Sequence, residues 1–366
     1  MYGLNHGYTV SSKSSMVKSM RRARRVERIL AAFAKRDLEA LRELAQAPGG
    51  FILDSVRKLV WPALLHTHHG CYVNEKGSEK DLADPNQISK DVERSLYYYP
   101  PDISPTHKVY KQKELHSLII EILWRNPKLK YYQGFHDICS CFLLVLGKKD
   151  AIPAAENAAL FFLRDAMLDS FDPVSKQLQL MSTIIQYEDI ELTAHLERCN
   201  IMPYYALSWI LTWFSHDLES LDKIARLFDL FVASSPLMPV YVASAITLLR
   251  RREILQADAD LLHSLITHIP QDIDVDLVVQ TALQLEKRYP PLELQKRSGL
   301  WLHNESPVNT WQEDWKPLGW NDVPDRLKAD SYLDCSISKE EWEEDMLQMW
   351  HTRRLSDIDR ISSQHQ

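Results

Sequence analysis

Apolar side chains recur along most of this chain at intervals of three and four residues, the spacing that lines one face of an α-helix. Val26, Ile29, Leu30 and Phe33 open the pattern, with Arg21, Arg22, Arg24, Arg25 and Arg28 beside them. A second helix is predicted from Asp37, with Leu38, Leu41 and Leu44 on one face and Ala-Pro-Gly-Gly at 47–50 as its stop. A third runs from Phe51 to about Leu65, and a polar loop follows over 70–85. Further helices are predicted at about 87–98, 111–125, 136–147, 154–168, 174–186, 189–198, 204–215, 219–232, 239–252, 258–267 and 274–288. Strand-like alternation is almost absent. Pro127, Pro153, Pro173, Pro203 and Pro270 read as breaks between helices. The pattern predicts one all-α, multi-helical domain over 25–295, a disordered basic arm over 1–24 and a tail over 296–366.

The tail differs from the rest. It holds Trp301, Trp311, Trp315, Trp320, Trp342 and Trp350, six of the ten tryptophans. Ser338-Lys-Glu-Glu341 has the form of a capping box and predicts a short helix near 338–352. These aromatics either pack back onto the domain or anchor a partner, whose identity the tail does not specify.

Charge changes the picture at the ends only. The net charge is −7, yet residues 1–40 carry nine basic and three acidic side chains, and residues 301–366 carry seven and fourteen. That distribution excludes a general nucleic-acid-binding character. It leaves the basic start free to touch an anionic membrane or an acidic protein patch. Five cysteines, odd in number and mostly in apolar settings, fit free thiols in a reducing compartment. The polar N-terminus lacks a signal-peptide core, and the expected location is cytoplasmic. Residues 230–249 carry no charge, but Pro236 and Pro239 divide them, so two buried helices are expected instead of a membrane span.

No P-loop, GxGxxG, HExxH or GxSxG motif occurs, which excludes the common NTPase, dehydrogenase, zinc-protease and α/β-hydrolase classes. His66, His68, His69 and Cys71 cluster without a second ligand pair at zinc spacing, so no metal is expected. His136-Asp137 fits a helix N-terminal turn with local hydrogen bonds. Two other segments carry chemistry. In Ile88-Ser-Lys-Asp91-Val-Glu-Arg94 the spacing of three brings Asp91 beside Arg94. A guanidinium held that way suits the oxygens of a phosphoryl-transfer transition state, and the same spacing also fits an ordinary surface ion pair. In Tyr131-Tyr132-Gln133-Gly134-Phe135 the glutamine amide can both donate and accept, which suits the positioning of a water. Gly134 allows a close approach, and a plain helix–helix turn is the alternative.

Together the two segments resemble the IxxDxxR and YxQG motifs of TBC domains. Arg57-Lys-Leu-Val-Trp61-Pro-Ala-Leu64 resembles the family's early RxxxWxxL motif. Ser208-Trp209, Trp213-Phe214 and Arg226-Leu-Phe-Asp229-Leu-Phe231 resemble its later aromatic and RxWDxF segments, with Phe228 where the pattern prefers Trp. The likeness covers about 50–290. Tyr-Tyr-Gln-Gly-Phe-His-Asp, Ala-Leu-Ser-Trp and Pro-Leu-Met-Pro look closest to the family's ER-associated branch.

The resemblance implies a GTPase-activating protein acting on a GTP-bound Rab-family GTPase. By this likeness Arg94 is an arginine finger and Gln133 a glutamine finger. Asp91 orients Arg94, Tyr132 and Gly134 shape the turn, and Arg57 and Trp61 are structural supports. Nucleotide and Mg²⁺ belong to the Rab, so no cofactor of this chain is expected. The ER-associated branch implies ER-to-Golgi traffic and peripheral ER or Golgi contact, but residues 301–366 lack the apolar anchor of those relatives. A non-catalytic Rab-binding scaffold and a helical interaction module working through the tail are the competing readings.

Overall fold

Helices form where the three- and four-residue apolar period predicts them, and polar side chains stop the ends. Asp37, Ser104, Asp189 and Asp274 each accept a hydrogen bond from a backbone N–H three residues on, at 2.9–3.3 Å. Such caps satisfy donors that a helix leaves orphaned, each contributing about 1 kcal/mol. A computed structural model describes residues 8–68, 85–96 and 103–333. Among the described residues there is no strand. Residues 70–84 of the loop expected over 70–85, the last residues of the helix expected to 98, His69, Cys71, Cys335 and the predicted 338–352 helix lie outside them.

The chain opens with α1 (Tyr8–Ala34), α2 (Leu38–Gln46) and α3 (Asp54–Leu64). Helix α1 takes in most of the segment read as a disordered arm, and neither Gly nor Pro falls between Gly7 and Pro48 to stop it. Ile29 is buried while Leu30, expected on the same face, is 40% exposed. Then come α4 (Pro85–Arg94), α5 (Pro105–Arg125), α6 (Phe135–Leu146) and α7 (Lys148–Phe161). Helix α5 starts earlier than its apolar period, because Ser104 caps it and Pro105 takes its first position. Pro153 was expected between helices but lies inside α7, which begins at Lys148 behind Gly147. At that place it removes one intrahelical hydrogen bond.

The second half comprises α8 (Asp172–Glu188), α9 (Ile190–Arg198), α10 (Leu207–Leu211), α11 (Leu221–Phe231), α12 (Met238–Leu249), α13 (Arg251–Gln256), α14 (Ala259–Thr267), α15 (Val275–Arg288) and α16 (Pro291–Ser298). Helix α12 packs against α8, α10, α11 and α15, which buries it almost completely. The uncharged run 230–249 is thus the end of α11, a Ser-Ser-Pro turn and α12. No helix among the described residues is long and apolar enough to cross a membrane.

Aromatic rings join the two halves. Phe228 lies 5.8 Å from Trp61, 5.4 Å from Phe142 and 5.2 Å from Trp213, centroid to centroid. Beyond α16, α17 (Pro307–Thr310) runs into a π-helical turn, Trp311–Trp315, and α18 (Arg326–Leu333) follows. Trp311 and Trp315 are buried against Phe162, which also meets Trp213. Trp320 packs edge-on to Phe33 of α1, and Trp301 is exposed. Packed structure therefore continues to Leu333, past the boundary read at 295, because apolar rings of the early tail find partners on α7 and α1.

Candidate functional site

Asp91 is fully buried on α4, and its carboxylate is a junction. One oxygen, Oδ1, accepts from Arg94 Nη2 at 2.5 Å and Gln87 Nε2 at 2.9 Å. The other accepts from the Tyr131 hydroxyl at 2.9 Å. A buried anion demands such partners, since an unpaired one is costly. Arg94 ends α4 with its side chain 65% exposed and only one edge tied down. This is more than a surface ion pair: one charge is completely desolvated and the other is presented to solvent.

Tyr131 carries that junction to the turn before α6. Burial and the Asp91 carboxylate push its hydroxyl far above the usual tyrosine range, so it stays a donor. Tyr132 donates to the Leu211 carbonyl at 2.7 Å, and burial raises its pKa as well. Between them and α6, Gln133 is exposed. Gly134 has φ +118, and a Cβ there would sit 2.8 Å from the Thr212 methyl. The neighbour that requires glycine is thus a side chain of the connector after α10. Alanine at 134 is expected to cost about 1–3 kcal/mol of unfolding free energy through backbone strain. Adding Thr212→Ser should restore the part due to the clash and leave the part due to φ. Urea unfolding of the single and double variants checks this, and an unchanged midpoint in Gly134→Ala contradicts it.

Arg57 and Trp61 lie elsewhere. Asp229 of α11 is fully buried and accepts from Arg57 Nε and Nη2, each at 3.0 Å, Trp61 Nε1 at 2.8 Å and the Phe51 backbone at 2.9 Å. Burial alone would lower the Arg57 pKa, but the Asp229 carboxylate outweighs it and raises it. Arg226 donates to the Ala45 and Ala47 carbonyls and caps the end of α2. These residues hold α2, α3 and α11 together inside the molecule.

Other polar groups gather beside the turn. His136 Nε2 is 3.3 Å from Asp137 Oδ1, and His216 Nδ1 is 3.0 Å from Asp137 Oδ2. His136 Nδ1 is 3.4 Å from the Tyr131 hydroxyl. The pair expected to bond locally, His136-Asp137, gains His216, which, like Thr212, no sequence spacing relates to the turn. Tyr131 was quoted in the motif without a role; its place two residues before Gln133 was the available signal. Among the described residues no group of three or more His, Cys, Asp or Glu side chains is arranged to hold a metal. His66 packs on Trp315 and His68 on Trp320. Cys139 and Cys141 are buried free thiols whose pKa values burial drives up, which makes them poor nucleophiles.

Known proteins share this arrangement of sequence and fold. The Rab-GTPase-TBC domain model matches residues 54–255. TBC1 domain family member 20 of Bos taurus is 35% identical over 295 residues, covering 80% of this chain and 73% of that protein. The GTPase-activating protein gyp10 of Schizosaccharomyces pombe is 35% identical over 257 residues, 68% of each chain. In fold, the chain resembles the Ypt/Rab-GAP domain of Gyp1p, with TM-score 0.58, 14% identity, and coverage of 69% of this chain and 94% of that one. It also resembles the Chlamydomonas flagellar RabGAP TBC domain, with TM-score 0.54, 16% identity, and 77% and 97% covered. With the family model spanning more than half its length and relatives above 30% identity across most of it, this chain belongs to the Rab-GTPase-TBC domain family.

Proposed function

We propose that the chain is a GTPase-activating protein for a Rab-family GTPase, with Arg94 and Gln133 supplied in trans to the bound nucleotide. One observation carries the reading: the buried Asp91 carboxylate holds exposed Arg94 with one oxygen and, with the other, Tyr131 of the turn that exposes Gln133. Arg94 neutralises charge that develops on the γ-phosphate and the leaving oxygen, where its planar fork meets two oxygens at once. Gln133 orients the attacking water through an amide that donates and accepts without changing charge. The GTPase brings GTP and Mg²⁺, so this chain needs no cofactor. Single-turnover GTP hydrolysis across a panel of GTP-loaded Rabs tests the activity, with the Rab of ER-to-Golgi transport as the first substrate. Acceleration of at least one is expected. Binding without acceleration of any would favour a non-catalytic scaffold.

We propose the middle of α1, residues 17–28, as the membrane contact. Arg21, Arg22, Arg24 and Arg28 are exposed and make no ion pair among the described residues, and Val17 and Met20 beside them are about half exposed. Each arginine near an anionic surface contributes about 1 kcal/mol. The full chain should co-sediment with vesicles containing phosphatidylserine, lose most of that binding in Arg21→Glu/Arg24→Glu/Arg28→Glu, and ignore pure phosphatidylcholine. Equal sedimentation of the variant would rule out this helix as the contact.

A further inference from the structure

Asp137, in the first turn of α6, and His216, in the connector after α10, are 79 positions apart in sequence and in hydrogen-bond contact. Theirs is the last of three contacts that join the end of α10 and its connector to the Gln133 turn and the start of α6. The first is the Tyr132 hydroxyl on the Leu211 carbonyl. The second is the Thr212 methyl against Gly134. The connector itself is not relaxed. Trp213 and Phe214 hold φ of 50° and 65°, a left-handed conformation that bulky residues rarely adopt. Their side chains are 2% and 0% exposed, so core packing keeps the backbone there.

Hydrogen-bond chemistry orders the protons along the contact. A carboxylate only accepts, so His216 presents Nδ1–H to Asp137 Oδ2, while His136 Nε2 lies 3.3 Å from Oδ1. The single Tyr131 hydroxyl proton goes to Asp91, which leaves the Tyr131 oxygen to accept from His136 Nδ1–H at 3.4 Å. The polar chain therefore runs from exposed His216 through Asp137, His136 and Tyr131 to the carboxylate that holds Arg94.

We propose that His216 is a positioning residue for Gln133: with Asp137 it forms a polar latch that fixes the Tyr131–Phe135 turn against the Thr212–Asp217 connector. The inference rests on the reading of Gln133 as the water-positioning finger. The latch is also sensitive to pH. The hydrogen bond to Asp137 raises the His216 pKa against burial, with Asp217 adding to it and Arg94 opposing it. The charged and titratable groups facing His216 are Asp137 and His136 from α6, Asp217 from its own connector and Arg94 from α4. A raised pKa in the latched state means the extra hold is present at low pH and is lost as pH rises through that pKa.

The test compares wild type, His216→Ala and His216→Asn, whose amide can still donate to Asp137, each alone and combined with Gln133→Ala. In single-turnover hydrolysis His216→Ala should lower the maximal rate about tenfold, the scale of one hydrogen bond to a charged group, with little change in KM. His216→Asn should recover most of it and flatten the decline of rate with rising pH. In the Gln133→Ala background His216→Ala should add no further loss. An increase in KM alone, an equal loss in that background, or failure of a folded His216→Asn to recover would overturn the proposal. Amide hydrogen exchange over Tyr131–Phe135 gives a readout that needs no GTPase. Exchange should quicken in His216→Ala and not in His216→Asn, and unchanged exchange refutes the latch whether or not the chain activates a Rab. Quickened exchange in a protein that accelerates no Rab would instead refute the catalytic reading and leave the latch standing.

Discussion

Replacing Arg94 by alanine is expected to lower the stimulated rate of GTP hydrolysis roughly 10³–10⁵-fold, the contribution of an arginine finger supplied in trans. The fold should persist with a modest loss of stability, because the removed side chain is 65% exposed but was the cationic partner of the fully buried Asp91 carboxylate. Asp91 keeps Gln87 and Tyr131 as donors in the variant. Lysine should recover little, since a point charge cannot meet two phosphate oxygens in a planar fork. Gln133→Ala is expected to abolish most of the stimulation as well, with the complex still forming. Single-turnover rates at saturating concentrations of the chain, set against the concentration for half-saturation, separate the outcomes. A fall in kcat at constant KM is expected for both. Activity retained in Arg94→Ala would mean that the cation acting on the nucleotide is another one.

The second large effect concerns stability. Asp229→Ala is expected to cost about 3–5 kcal/mol, because it leaves the Arg57 guanidinium buried and unpaired along with the Trp61 and Phe51 N–H groups. Asp229→Asn keeps the shape and two acceptor lone pairs but removes the charge, and should lie between wild type and alanine. Denaturant unfolding followed by tryptophan fluorescence reports the loss. Trp61 and Trp213 both touch Phe228, one residue from the substituted position, so the probe sits at the site. A cost below about 1 kcal/mol would mean that water reaches Arg57 in the variant and that this junction is less dry than its burial indicates.

These predictions separate two kinds of information in the chain. Helices such as α6, α11 and α15 were legible because their apolar period is local: residues i, i+3, i+4 and i+7 fall on one side whatever else the chain does. Two of the boundaries that departed from expectation, the early start of α5 and the continuation of α7 across Pro153, depend on a capping serine and a preceding glycine that the apolar period does not register. Asp91 and Arg94 could be paired from sequence for the same reason, since three residues of helix bring them together. The aromatic tail left two readings open. Phe162 settles it for Trp311 and Trp315, because a ring that far upstream supplies the surface on which they pack.

What the sequence determined by itself, then, is the all-α class, the positions of most helices and the two short segments bearing Arg94 and Gln133. Each follows from interactions within a few residues, or from motifs of fixed spacing. Tertiary structure decided that Tyr131 shares Asp91 with Arg94, that Asp229 binds Arg57 across 172 positions, and that His216 reaches Asp137 across 79. A charge, a hydroxyl or an imidazole carries no sequence signal for a partner that far away. Which of them meet is settled by how the helices pack around the shared aromatic core, and by the requirement that every buried carboxylate find its donors.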